Sequence, residues 1–247
     1  MAKAAGSRYI HGFHAVLAKV RQQPAAVLEI YLDAGRDDSR TRDLIAKAQN
    51  NGVRIVVADS QRLDGMAPPG KHQGVVAKVS GEAQHVSLDD LLDTLAEPPL
   101  LLVLDGVTDP HNLGACLRAA DGAGVHAVIA PKDRACGLTQ AAIKVACGAA
   151  ESVPYLMVTN LARTLRELKE RDIWIVGTAD QADQTIYEVK LPAALAIVMG
   201  AEGEGMRRLT RDTCDQLVRL PMFGSVSSLN VSVAAGVCLY EARRQRG

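Results

Sequence analysis

The second half of the sequence alternates short apolar runs with helix-forming stretches, and this alternation constrains the fold more than any other feature. The first run follows Leu100 and ends at Asp105, with no polar residue inside it. Strands that are apolar on both faces are typical of parallel sheets covered by helices. Further strands are predicted at 126–130, 173–179, 195–200 and 216–221. Helices are predicted at 114–122, 138–147, 161–171, 206–212 and 232–245. Residues 100–247 are therefore predicted to form an α/β domain with a mostly parallel sheet.

The first 80 residues show a shorter alternation of the same kind. Helices are predicted at 14–20 and 39–50, and strands at 26–32, 53–58 and 73–79. Ser39 is a candidate N-cap of the second helix, and Asn51 with Gly52 is a typical helix end. We therefore expect a small, separate α/β domain over residues 1–80.

The segment 81–99 differs in composition from both flanking regions. It has five acidic residues and no basic one. Ser87 is a plausible N-cap for a short acidic helix over 87–96, and Pro98 with Pro99 then interrupts regular structure. We expect a linker here, with a hinge as a hypothesis, between domains at 1–80 and 100–247.

Charge is unevenly distributed although the totals cancel, with 28 basic and 28 acidic residues in the chain. Residues 1–80 carry twelve basic and seven acidic side chains, whereas residues 100–247 carry sixteen of each. A basic excess is compatible with binding a polyanion such as RNA. An ordinary fluctuation of surface charge explains the same numbers, so both interpretations stay open.

Several protein classes are excluded by simple patterns. The longest apolar run, Ala193–Met199, is far shorter than the roughly 20 residues that span a bilayer. The five cysteines are odd in number and form no CxxC pair, which disfavours a disulfide framework or a zinc site. No secretory signal or HExxH motif is visible. We expect a cytoplasmic protein with reduced thiols, no membrane association and no metal.

Three segments, each beginning at or after a predicted strand, resist a purely structural interpretation. They are 105–118, the glycine-rich 200–205 and the hydroxyl-rich 220–232. Loops at the carboxyl ends of parallel strands are where α/β folds bind ligands.

Each segment also has a plain structural interpretation. Asn112 could cap the following helix and leave Arg118 on a solvated face. The glycine-rich segment could be a flexible turn with solvated acids, and Ser228 or Asn230 could cap the last helix.

Taken in order, these segments resemble the three motifs of the SpoU, or TrmH, branch of the SPOUT RNA methyltransferases. The matching stretches are DPHNLGACLRAAD (109–121), IVMGAEGEGM (197–206) and LPMFGSVSSLNVSVAAGVCLYEA (220–242). The stretches YIHGFHAVLAKV (9–20) and KHQGVVAKV (71–79) are similar to an N-terminal substrate-binding domain of the same family. The resemblance covers nearly the whole chain.

The resemblance implies a fold and a set of site residues. The C-terminal domain is expected to contain a deep trefoil knot, and the N-terminal domain to be a small α/β RNA-binding fold. S-adenosylmethionine is the implied cofactor, contacted by Gly200, Leu220 and Leu229. The implied catalytic residues are Asn112, Arg118, Glu202, Ser228 and Asn230. A homodimer is implied, with residues of both subunits in each active site.

The resemblance also implies the reaction, which is methylation of a guanosine ribose 2′-hydroxyl in 23S rRNA, in the peptidyltransferase region. Naked RNA and a large-subunit precursor particle are both possible substrates. Arg118 is expected either to stabilise the developing alkoxide or, after losing its proton to the substrate phosphate, to act as a base. Glu202 could hold Arg118, hold the ribose or relay the proton.

Four alternatives remain. The same chemistry on tRNA would be expected with short helical extensions in place of residues 1–80. A related enzyme type that confers antibiotic resistance modifies another rRNA site. A non-catalytic rRNA-binding assembly factor would not need the complete set of polar site residues. A dinucleotide-dependent dehydrogenase would need a glycine pattern that is missing here.

Overall fold

The computed structural model describes residues 7–67, 72–80, 87–201 and 203–247. The chain divides into two compact units, Met1–His85 and Val86–Gly247. Each unit buries its own apolar clusters.

The first unit is built on a four-stranded sheet. Its strands are β1 (Ser7–His11), β2 (Val27–Asp33), β3 (Arg54–Ala58) and β4 (Val75–Ser80). Its helices are α1 (Phe13–Gln22), α2 (Ser39–Asn50) and α3 (Ser60–Asp64), with a 3-10 turn at Pro24–Ala26. The strand order is β1-β4-β2-β3, in which β4 runs antiparallel to both neighbours and β2 runs parallel to β3. The small α/β architecture predicted for this region is confirmed.

Two details of the first unit correct the sequence interpretation. The N-cap of α2 is Asp38, not Ser39, because the Asp38 carboxylate accepts a hydrogen bond from the Thr41 N–H. That bond, together with the Arg36 guanidinium, lowers the pKa of Asp38 to about 2. Strand β1 and helix α3 were not predicted, since SRYIH and SQRLD are short and mostly polar and show no apolar period.

The second unit contains a six-stranded sheet in which every pairing between the described strands is parallel. Its strands are β5 (Leu100–Asp105), β6 (Ala127–Pro131), β7 (Tyr155–Val158), β8 (Trp174–Thr178), β9 (Leu195–Gly200) and β10 (Gln216–Val218). The order is β10-β8-β9-β5-β6-β7. The predicted parallel α/β class is thereby confirmed. The implied knot stays a prediction from the resemblance.

Helices cover this sheet on both faces. They are α4 (Leu88–Thr94), α5 (Pro110–Gly122), α6 (Gln140–Ala146), α7 (Ala149–Ser152), α8 (Leu161–Glu170), α9 (Arg208–Thr213) and α10 (Val231–Arg246). Alternate residues of β5 enter two different apolar clusters: Leu102 and Leu104 join α5 and α10, whereas Leu101 and Val103 join α8. Successive strand residues point to opposite faces, so a strand covered on both sides must be apolar throughout.

Within the acidic segment, Leu88–Thr94 form α4 with Ser87 as its N-cap, as predicted, and residues 81–86 lie outside the described residues. Leucines of α4 pack against the α8 side of the sheet. Arg171 donates hydrogen bonds to Asp89 and Asp93, which fixes the acidic face of α4 to the end of α8. The boundaries 1–80, 81–99 and 100–247 stay predictions.

All five cysteines are free, as expected. Burial raises the pKa of the Cys214 and Cys238 thiols to about 12, so both remain protonated and unreactive near neutral pH. Within the described ranges, none of the helices has the length and apolar character needed to cross a membrane.

The apolar cluster between the sheet and α5 should carry much of the second unit's stability. Leu117 of α5 is fully buried, so Leu117→Ala should lower the free energy of unfolding by about 2–5 kcal/mol. Leu209 of α9 is 56% exposed, and Leu209→Ala should change it by about 0.5 kcal/mol or less. Urea unfolding of both variants measures the difference. Equal effects would contradict the assignment of Leu117 to the core.

Candidate active site

A cavity of about 390 Å³ opens at the carboxyl edge of the parallel sheet. Its walls come from the ends of β8 and β9, the glycine-rich segment after β9 and the segment 219–229 before α10. The residues that line it include Thr178, Met199, Gly200, Met206, Leu220, Met222, Ser228 and Leu229. This is the position at which ligands bind in open α/β sheets.

The glycine-rich segment folds back over the end of β9. A Cβ atom on Gly200 would lie 2.3 Å from the Gly205 carbonyl carbon and 2.4 Å from the Met206 nitrogen. Ala201 and Gly205 exchange two backbone hydrogen bonds, at 3.1 and 2.9 Å, which close the loop. Only glycine fits at position 200, because the returning backbone occupies the space of any side chain.

A buried carboxylate holds the end of this loop. Asp105, the last residue of β5, lies next to Gly200 in the sheet register, and its side chain is fully buried. The Arg207 N–H donates to Asp105 Oδ2 at 2.9 Å, and Arg207 Nε donates to Oδ1 at 2.6 Å. Asp105 therefore fixes the residue at which the loop passes into α9.

Charged side chains of both signs also line the cavity. They are Asp180, Glu204, Arg211 and Arg219. A ligand with an amino acid part and a polar sugar would find partners for both of its charges here. No group of three or more metal-ligating His, Cys, Asp or Glu side chains occurs among the described residues.

Helices α5 and α10 are joined near their N-termini by a hydrogen bond between two side-chain amides. Asn230 Nδ2 donates to Asn112 Oδ1 at 2.9 Å. Asn230 is the N-cap of α10, since its Oδ1 accepts from the Ser232 N–H, which confirms one of the two caps proposed for this helix. The cap of α5 is Asp109 rather than Asn112, because Asp109 accepts from the His111 and Asn112 N–H groups. Because Asp109 caps α5, the Asn112 side chain is available to accept the hydrogen bond from Asn230.

Arg118 lies apart from these residues. It is exposed and is not among the residues that line the cavity, and its Nη1 lies 3.8 Å from Cys147 Sγ. Gly114, one turn earlier on α5, packs so closely on α6 that a Cβ atom would lie 2.5 Å from the Ala142 oxygen. Residues four apart share a helix face, so Arg118 projects on the α6 side of α5.

The structure thus brings most of the candidate residues to one region. Gly200, Leu220, Ser228 and Leu229 line the cavity, and Asn112 and Asn230 contact each other at the helix N-termini beside it. Arg118 lies elsewhere on its own chain, and Glu202 lies outside the described residues.

Among the charged lining residues, Asp180, Arg211 and Arg219 were not predicted from the sequence, and Asp105 was included in a candidate segment without a role of its own. Arg211 lies in a predicted helix and Arg219 in a predicted strand, and neither belongs to a sequence pattern that indicates ligand binding. Asp105 had a usable signal, since a charged residue directly ending a fully apolar strand needs a partner.

The chain belongs to the SpoU rRNA Methylase family, whose sequence profile matches residues 99–240. A second profile, described as RNA 2'-O ribose methyltransferase substrate binding, matches residues 9–84. The two matches fall on the two compact units described above.

Relatives of known identity cover almost the full chain. The 23S rRNA (guanosine-2'-O-)-methyltransferase RlmB of Ralstonia nicotianae is 60% identical over 240 residues, covering 97% of this chain and 96% of the relative. The protein of the same name from Bordetella pertussis is 59% identical over 242 residues, covering 98% and 99%. The SpoU methyltransferase AviRb from Streptomyces viridochromogenes, solved in complex with AdoMet, has a TM-score of 0.74 at 27% identity, covering 98% of this chain and 91% of that chain.

The hydrogen bond between Asn112 and Asn230 should appear as an energetic coupling. In a double-mutant cycle of Asn112→Ala and Asn230→Ala, we expect the free energies of unfolding to be non-additive by about 0.5–1.5 kcal/mol. Asn160 is a matched control, because it caps α8 and bonds the Arg163 N–H. Asn112→Ala and Asn160→Ala should be additive within about 0.5 kcal/mol. Additivity in both cycles would contradict the contact.

Proposed function

We propose that this protein transfers a methyl group from S-adenosylmethionine to the ribose 2′-hydroxyl of a guanosine in 23S rRNA. The observation that carries the proposal is identity of about 60% to enzymes named for this reaction, across both units of the chain. The cavity at the carboxyl edge of the sheet supports it independently, because it has the size and mixed lining of a small-molecule site.

The residues that line the cavity fit S-adenosylmethionine. Leu220, Leu229 and Met222 offer apolar contacts for an adenine ring, and bare backbone near Gly200 offers hydrogen bonds to its edge. Arg211 and Arg219 suit a carboxylate, whereas Asp180 and Glu204 suit an ammonium group or ribose hydroxyls. When bound, S-adenosylmethionine supplies a methyl group activated by a sulfonium centre.

The protein's own contribution is alignment and electrostatics. An in-line displacement needs the attacking hydroxyl held opposite the leaving sulfur. This alignment lowers the activation barrier by several kcal/mol. We assign this orientation to the neutral side chains of Asn112, Ser228 and Asn230, which do not compete for the hydroxyl proton. Glu202 is proposed to accept that proton or to hold the ribose.

We propose that Arg118 acts electrostatically. A guanidinium keeps its proton in proteins, so it stabilises a developing alkoxide and binds an adjacent phosphate more readily than it accepts a proton. Arg118 is exposed and does not line the cavity of its own chain, which suits a residue that completes the site of a partner subunit.

A homodimer is therefore part of the proposal. One face of α10 leaves Val233 and Tyr240 about half exposed, and Phe223 in the preceding segment is 94% exposed. Clustered exposed apolar side chains beside a site are typical of subunit interfaces. We propose a two-fold dimer formed through this face, in which Arg118 of each subunit serves the site of the other.

We assign RNA binding to the first unit. It has a basic excess, and the profile matched at 9–84 is that of a substrate-binding region. The proposed substrate is 23S rRNA, either naked or in a precursor particle, and the proposed location is the cytoplasm. A tRNA substrate is the second candidate, because the chemistry would be identical, and a non-catalytic assembly role is the third.

The test is methyl transfer from labelled S-adenosylmethionine to unmodified 23S rRNA and unmodified tRNA offered in parallel. We expect 2′-O-methylguanosine in 23S rRNA, mapped to one nucleotide. Incorporation into tRNA instead would overturn the substrate assignment. Tight RNA binding without transfer to rRNA, tRNA or a precursor particle would favour the assembly role.

Arg118 should be required for rapid methyl transfer. Arg118→Ala should lower kcat by about 100-fold to 1000-fold, as expected for a lost electrostatic donor, and Arg118→Lys should lower it less because the charge remains. Arg163→Ala is the matched control, since Arg163 is also an exposed helical arginine but lies on α8, across the sheet. An active Arg118→Ala variant would contradict the role.

Mixing two inactive variants tests whether the site is shared. Arg118→Ala and Gly200→Val disable different parts, so a mixed dimer has one intact composite site if Arg118 serves the partner. Equal mixing should then restore about a quarter of the wild-type rate, because half of the dimers are mixed and each has one working site. No recovery after verified subunit exchange would contradict action in trans.

A further inference from the structure

We propose that Asp105 is a positioning residue for S-adenosylmethionine binding, which it supports by anchoring the glycine-rich loop through Arg207. This inference rests on the proposed function for the identity of the ligand. The anchoring of the loop does not depend on the ligand, and hydrogen exchange of the loop amides measures it separately.

The contact has two features that a simple surface ion pair lacks. Both oxygens of Asp105 are used by one residue, since the main-chain N–H and the side-chain Nε of Arg207 each donate to one of them. The Asp105 side chain is fully buried, whereas that of Arg207 is 40% exposed. A carboxylate held in this way fixes both the backbone position and the side-chain direction of Arg207.

The position of the contact connects it to the cavity. Asp105 is paired in register with Gly200, and Gly200 supports the returning backbone at Gly205 and Met206. Arg207 follows Met206 directly, so the loop leaves β9 at Gly200 and its far end is held at the crossing and again at Arg207. Gly203, Glu204, Gly205 and Met206 all line the cavity, although Asp105 does not.

The direction of the effect follows from this arrangement. A loop held at both ends presents its backbone groups in one conformation, so little order has to be imposed when a ligand binds. Without the anchor, the four cavity-lining residues between Gly200 and Arg207 would sample other conformations. Affinity should fall although no residue that touches the ligand has changed.

The chain contains a matched control in Asp215. Its Oδ2 accepts from the Ile175 N–H at 2.9 Å, and its Oδ1 pairs with Lys169 Nζ at 2.7 Å. It is therefore another largely buried carboxylate that binds one backbone donor and one cation, at 14% side-chain exposure. Asp215 is not among the cavity-lining residues.

The experiment compares Asp105→Asn with Asp215→Asn in the full chain. Asparagine keeps one oxygen for a backbone N–H but turns an NH₂ group toward the cation, so each variant loses one charge-assisted bond. Calorimetric titration with S-adenosylmethionine should give a Kd about tenfold higher for Asp105→Asn and unchanged for Asp215→Asn. The rate at saturating S-adenosylmethionine should change by less than about threefold in both.

A merely structural role would give a different result. The fraction of molecules competent to bind would then fall while their Kd stayed the same, and the two variants would behave alike. An unchanged Kd for Asp105→Asn, or the same change in Kd for both variants, overturns the proposal. If Asp105→Asn does not fold, Arg207→Ala and Arg207→Lys replace it, with a larger rise in Kd expected for alanine than for lysine. If both Arg207 variants bind S-adenosylmethionine with the wild-type Kd, the proposal is also overturned.

Hydrogen exchange separates this proposal from the proposed function. Without any ligand, backbone amides in the segment 203–207 should exchange about tenfold faster in Asp105→Asn than in the wild type, and at the wild-type rate in Asp215→Asn. Wild-type protein that fails to bind S-adenosylmethionine would refute the proposed cofactor while leaving this readout intact. Unchanged exchange in Asp105→Asn would refute the anchor even if the cofactor binds.

Discussion

The passage of the Gly205 and Met206 backbone across the end of β9 leaves no room for a side chain at residue 200. The rest of the site depends on this crossing, because it turns a flexible glycine-rich segment into a fixed wall of the cavity. The buried Asp105 carboxylate holds the next residue, Arg207, so the wall is held at two points. Together these contacts place backbone N–H and C=O groups where a bulkier sequence would place side chains.

The crossing lies at the carboxyl edge because of the sheet that supports it. Strand β5 is buried on both faces and adjoins β9, so the ends of these strands have well-defined positions. Loops that leave such ends are attached to rigid supports, which is why binding residues often lie on them. The second wall comes from the segment before α10, whose N-cap Asn230 is joined to Asn112 of α5. Two distant parts of the chain thereby meet beside one cavity.

Much of this arrangement was predictable from the sequence. The apolar runs at 195–200 and after Leu100 predicted buried parallel strands, because a strand covered on both faces cannot alternate polar and apolar residues. The motif at 220–242 predicted the segment that forms the second wall. The four-residue strand β7 was missed, since half-buried Tyr155–Val158 gives neither a long apolar run nor clear alternation.

The remaining site features depend on three-dimensional contacts that no local pattern encodes. The sequence offers Asn112 as a cap of α5, but Asp109 takes that role and leaves Asn112 to contact Asn230, which is 118 positions away. Arg118 is close to Asn112 in sequence, yet a helix turns the two side chains toward different neighbours. The Asp105–Arg207 contact joins residues 102 positions apart, so only the folded sheet reveals it.

The most direct test of this account is a crystal structure of the protein grown with S-adenosylmethionine. We predict density for the ligand between the loop after Gly200 and the segment that carries Leu220 and Leu229, with the Asp105–Arg207 contact intact. Ligand density at another edge of the sheet, or a Gly200 loop displaced from β9 in the complex, would contradict the account.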